Sequence, residues 1–199
     1  MSHDDAFAAG LDFLSPTARA VLKLNAAGAY AELVPQHRGA DDARLALAGI
    51  TAENVLSVPV PGSRDDAAAV VSGLWLWHDY LDESHTISQQ ITSDTGSFWH
   101  AIMHRREGDF SNSKYWYARC QSHPAMATLT RAAEDVTRSS PADTRIVKLT
   151  AQGWDPRAFV DLVQEVHRQP TDPRHALAVT LQQVEWRVLF DHSLRAAVG

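Results

Sequence analysis

The sequence predicts an all-α protein, and three observations carry the prediction. Apolar residues recur at spacings of three and four along most of the chain. Cap residues, several followed directly by proline, punctuate these runs. No stretch alternates long enough for a β-hairpin, and no βαβ pattern occurs. A single domain spanning 1–199 is expected, a bundle of about seven or eight helices around one core with little or no β structure.

Residues 4–13 place Phe7, Leu11 and Leu14 at helical spacing. Ser15-Pro16 is a cap followed by proline at the first helical position. The helix it opens carries Ala18, Val21, Leu22, Tyr30 and Leu33, and Pro35 ends it. A second short helix runs from Asp41 through Leu45 and Leu47. Residues 51–62 are a connector, because Pro59 and Pro61 together forbid a regular helix. Ser63, with Asp65 and Asp66 in the first turn, opens a long helix expected over 63–91.

A helix over 97–106 follows the turn at 93–96, and another starts at Ser111 or Asn112 and runs to about Ser122. Pro124 restarts the chain with Met126, Leu129, Ala133 and Val136 on one side. Residues 145–150 are read as helix or irregular. Asp155-Pro156 and Asp172-Pro173 open the last two helices.

The composition is that of a globular protein: of 199 residues, 45% are hydrophobic and 21% charged. A net charge of -6 argues against a nucleic-acid or anionic-membrane partner. No run of about 18 uncharged apolar residues is present for a membrane span, and the start of the chain lacks the pattern of a signal peptide. Its single cysteine, Cys120, allows no internal disulfide. A cytoplasmic location is expected. A homodimer is permitted but not required.

Residues 63–122 concentrate the chemistry. The segment 72–116 alone holds four of the six tryptophans and four of the ten histidines. At about 100° per residue, a continuous helix over 63–91 turns Asp79, Glu83, Thr86 and Gln90 to solvent and aligns His78, Asp82 and His85. The next helix repeats the spacing with His100, His104 and Glu107. Packed as a hairpin, two such stripes face each other.

Imidazoles and carboxylates in this arrangement suit a divalent metal: zinc, iron or manganese. His78, Asp82, His85, His100 and His104 are the candidate ligands. His100, His104 and Glu107 are the candidate catalytic groups. Metal-free proton transfer by the same residues and a purely structural histidine network stay open beside this reading.

Arg105, Arg106, Asn112 and Lys114 crowd one helix end and the next helix start, a place suited to a small anionic molecule. Trp75 and Trp99, close to the ionisable stripes, are the expected aromatic walls of that pocket. On the last helix, Glu185 and His192, seven apart, either reach the same region or belong to an exposed face with a histidine near the helix C-terminus. The function expected is a small-molecule enzyme, a hydrolase or oxidoreductase where a metal is bound; the alternative is a non-catalytic small-molecule binding or interaction protein.

The runs HDYLDESH, SFWHAIMHRRE and SNSKYW resemble a run in bacterial all-helical proteins to which no activity attaches. His78-Asp79 also resembles the dyad of the HD phosphohydrolases, which implies an all-helical, metal-dependent phosphohydrolase. The dyad departs from that pattern in lying mid-helix, with Asp79 on the expected solvated face.

Overall fold

The computed structural model describes residues 10–24, 28, 30–138 and 143–199. Among them are ten α-helices and no strand. The expected helix over 4–13 lies largely outside the described residues; Leu11–Phe13 is a single 3-10 turn. The α-helices are α1 (Pro16–Lys23), α2 (Asp41–Leu47), α3 (Arg64–Trp77), α4 (Leu81–Ser88), α5 (Asp94–Glu107), α6 (Phe110–Arg119), α7 (Ala125–Thr137), α8 (Thr144–Lys148), α9 (Pro156–Val166) and α10 (Pro173–Val198).

The caps follow side-chain chemistry. Ser15, Ser63 and Ser93 accept from Ala18, Asp66 and Gly96 backbone N–H groups. Asp155 and Asp172 cap α9 and α10 ahead of Pro156 and Pro173. For α6 the cap is Asp109 rather than Ser111 or Asn112: its Oδ1 accepts from Asn112 N. α1 ends at Lys23, short of the expected Leu33, and Tyr30 and Leu33 are buried outside any helix. α5 starts earlier than expected, at Asp94.

The main correction concerns 63–91. The helix expected there is two helices, broken at residues 78–80. Asp79 is left-handed at φ 62°. Three consecutive residues find tertiary partners that a continuous helix denies them. His78 Nε2 bonds the Val21 carbonyl at 2.9 Å. Asp79 accepts from Arg106 Nη2 at 2.6 Å, and Tyr80 OH lies within donating distance of the Gly39 and Ala40 carbonyls. Gly39 makes the approach possible, since a Cβ there would lie 2.0 Å from the His78 oxygen. Gly73, by contrast, sits inside α3 without breaking it.

One hydrophobic core runs through the molecule. Its axis is α5, which packs against α3, α4, α6 and α10. Every residue from Thr95 to Arg106 is buried. A helix sheathed this completely has no solvated face, so each of its polar side chains must find a partner. Gly73 lets α3 meet it closely: a Cβ there would lie 2.9 Å from the Trp99 ring and 3.0 Å from Phe190. None of the helices is long and apolar enough to cross a membrane, among the described residues.

Candidate metal centre

α4 and α5 pack against each other across the short link at 89–93 and bring three imidazoles together. The ring centroids of His85 and His100 lie 4.6 Å apart, those of His100 and His104 4.6 Å, and those of His85 and His104 5.4 Å. One nitrogen from each ring lies within 4.8 Å of the other two. His100 and His104 are buried, and His85 is half-buried.

The hydrogen bonds around these rings fit one assignment of their protons. Ser88 Oγ donates to the His85 carbonyl at 3.3 Å. With that bond made it accepts from His100 Nδ1, 3.0 Å away, and the His100 Nε2 lone pair is unprotonated; in the other tautomer the hydroxyl donates to Nδ1 instead. His104 Nδ1 lies 3.2 Å from Glu107 Oε1. A carboxylate accepts, so the proton is on Nδ1 and Nε2 again carries the lone pair. Asn112 Nδ2, a donor, stands 3.0 Å from that Nε2 and 3.4 Å from Nδ1, so a metal on Nε2 has to displace the Asn112 amide. Neither ring nitrogen of His85 makes a hydrogen bond among the described residues.

Burial and the neighbouring His104 and His85 push the His100 pKa down to about 4, so this imidazole is neutral at ordinary pH. The Trp116 ring packs on His100 at 4.3 Å between centroids. A second set of possible ligand atoms, from His104, Glu107 and Asp109, also lies within 4.8 Å. There Asp109 Oδ1 is already engaged by Asn112 N and the Ser111 hydroxyl.

The remaining candidates lie elsewhere. The break after α3 rotates His78 out of the stripe and onto Val21. Asp82 is exposed and pairs with Arg38 at 2.5 Å. His78 and Asp79, the dyad of the HD resemblance, face different partners, Val21 and Arg106.

Arg105 and Arg106 are fully buried and committed. Arg105 bonds Glu185 at 2.5 Å and the Tyr117 hydroxyl at 2.6 Å, and that hydroxyl donates to Glu185 at 2.8 Å. Burial pulls the Arg105 pKa down, but Glu185, with Tyr117, outweighs this and holds it above the ordinary value. Arg106 pairs with Asp79, and its guanidinium lies 3.7 Å from the Tyr30 ring centroid. Lys114 pairs with Asp161. Of the four expected anion-binding residues, only Asn112 stands beside the histidines.

Trp99 is core, donating from Nε1 to Ser193 Oγ at 3.1 Å. Trp75 packs edge-on against Tyr80. Glu185 and His192 also part company: Glu185 serves Arg105, while His192 packs on His123 at 4.6 Å. His123 uses both nitrogens, with Thr95 Oγ1 and the Ala125 N–H.

Sequence reasoning missed Ser88 and the Arg105–Tyr117–Glu185 triangle. Ser88 carried a usable signal, three residues after His85 on the same helix. Glu185 carried none, since its partner is distant in sequence. Comparison with known proteins finds no matching family model, no matching curated protein and no matching solved structure.

Proposed function

We propose that the protein binds one divalent transition metal, zinc foremost, through His85, His100 and His104, and uses it for hydrolysis of a small molecule. The observation that carries this reading is the convergence of three imidazoles with two outer N–H groups already held. Ligating histidines characteristically donate their second nitrogen to a carboxylate or other acceptor, which fixes tautomer and orientation. Glu107 does this for His104 and Ser88 for His100. His85 is the ring with no hydrogen bond of its own and is the one left to adjust. Three nitrogen donors suit zinc better than manganese, which prefers oxygen.

Tetrahedral zinc at about 2.0–2.1 Å from each nitrogen needs nitrogens about 3.3 Å apart. Closing from 4.8 Å is a side-chain rotation, and His85 is positioned to make it. Three protein ligands leave a fourth position, the arrangement of catalytic rather than structural zinc. When bound there, such an ion supplies Lewis acidity and lowers the pKa of a coordinated water toward about 7. Half-buried Asn112 and Trp116 border the histidines, and exposed Glu107 is placed to accept a proton. Glu107 also lines a cleft of about 790 Å³ with Phe110, His167 and Arg168, whose walls do not include the three histidines.

The competing reading is a structural histidine network without metal. It accounts for His100 and His104, which have partners, and gives half-buried His85 only ring packing against both. Tag-free protein dialysed against micromolar zinc is expected to retain one zinc per chain. His85→Ala is expected to weaken binding at least tenfold while leaving the metal-free stability unchanged. The zinc-loaded protein, and not His85→Ala, is expected to hydrolyse 4-nitrophenyl acetate. Substoichiometric zinc that His85→Ala does not alter refutes the metal centre; stoichiometric zinc without hydrolysis refutes only the catalytic part.

A further inference from the structure

A groove of about 950 Å³ lies between α7, the end of α8 and the 149–155 loop, remote in sequence from the histidine cluster. Its size falls in the range of small-molecule sites. Its apolar surface comes from Trp154, Met126 and Pro156, above the fully buried Tyr117 ring, whose hydroxyl is committed to Glu185. The loop is tied across the groove: Trp154 N donates to Thr130 Oγ1 at 2.8 Å, and Asp155 N to the Leu149 carbonyl at 2.8 Å. Gly153, at φ 100°, supplies the turn that brings Trp154 inward. Trp154 is 7% exposed, and its indole N–H meets no acceptor among the described residues.

The polar lining is unusual for a chain of net charge -6. Arg131, Lys148 and Arg157 all border the groove and are exposed. None is in an ion pair among the described residues; Arg131 makes one bond, to Thr128 Oγ1. Elsewhere on this surface Arg38, Arg64, Lys114 and Arg174 are paired with carboxylates, while Lys23, Arg119 and Arg168 form no ion pair among the described residues; the groove differs in gathering three such cations. Of the two acids lining the groove, Asp155 spends Oδ1 on the first two N–H groups of α9. Glu134 is left against three unpaired cations.

We infer that this groove is a binding site for a small amphipathic organic anion. Its flat apolar body lies on Trp154 and Met126, and its carboxylate, sulfonate or phosphate meets Lys148, Arg157 and Arg131. Aromatic and thioether surfaces suit a flat apolar body, and arginines recognise oxyanions with paired N–H groups.

The test uses the whole chain and two probes of similar shape, the anion 1-anilinonaphthalene-8-sulfonate and the uncharged N-phenyl-1-naphthylamine. The sulfonate is expected to bind one saturable site. Lys148→Gln with Arg157→Gln is expected to weaken it about tenfold or more while changing the neutral probe less than about twofold. Met126→Trp, which fills the groove, is expected to weaken both. All three side chains are at least partly exposed, so near-UV circular dichroism is expected to stay native. The absence of saturable binding overturns the proposal. So does sulfonate binding that neither the charge variant nor Met126→Trp alters, because the probe then sits elsewhere.

Discussion

Replacing Glu185 with leucine removes the carboxylate from a sealed triangle. Arg105, Tyr117 and Glu185 are each 0% exposed. With Glu185 gone, the guanidinium keeps its charge in the core with the Tyr117 hydroxyl and the Phe159 ring beside it but no carboxylate, and that hydroxyl loses its acceptor. Breaking one side of a buried ion pair costs about 3–5 kcal/mol. Against a total stability of about 5–15 kcal/mol for a domain, this is a large fraction.

Urea denaturation followed by far-UV circular dichroism reads the loss as a lowered midpoint. Removing all three polar groups together, Arg105→Met with Tyr117→Phe and Glu185→Leu, leaves no orphan, and the triple variant is expected to recover most of the loss. The triangle also anchors α5 to α10 one residue from His104, so Glu185→Leu is expected to weaken zinc binding as well. A Glu185→Leu cost under about 1 kcal/mol, or a triple variant less stable than the single one, refutes the reasoning.

Acid is expected to destabilise the fold through its buried histidines. Burial drives both His100 and His123 down to about 4, each helped by a neighbouring histidine. Between pH 6.5 and 4 the unfolded chain therefore binds more protons than the native one, so stability rises with pH through this window and falls on acidification. Each histidine contributes on the order of 2 kcal/mol after allowance for relaxation and screening; urea midpoints at pH 7 and pH 4.5 measure it, and equal midpoints contradict it. Gly73→Ala is expected to lower stability by about 1–3 kcal/mol despite alanine's better helix propensity, because its Cβ meets Trp99 and Phe190; a raised thermal midpoint contradicts that packing. Burial pushes the Cys120 thiol up to about 12, so it is expected to resist iodoacetamide in the native protein and react in urea.

Helix starts were legible because they depend on local chemistry. Serine or aspartate caps, three of them with proline following, marked α1, α3, α9 and α10. The break at 78–80 was not legible. No residue there is glycine or proline, and the driving partners, Val21, Gly39, Ala40 and Arg106, are distant in sequence. That break decided which residues of the histidine stripe share a site. It turned His78 away, while His85, on α4, kept its place beside His100 and His104.

The arginines illustrate the opposite limit. Adjacent cations at a helix end read as an anion site, but α5 is buried all round, and each arginine meets a carboxylate brought by another segment. Asp79, read as solvated from helical phase, is one of those carboxylates. Burial raises its pKa, and Arg106 opposes the shift.

X-ray absorption at the zinc edge of the loaded protein tests the metal centre most directly. Three imidazole nitrogens and one oxygen at about 2.0–2.1 Å are expected, with the imidazole signal reduced in His100→Ala. A shell of oxygens alone, or a spectrum identical in the wild type and His100→Ala, contradicts it.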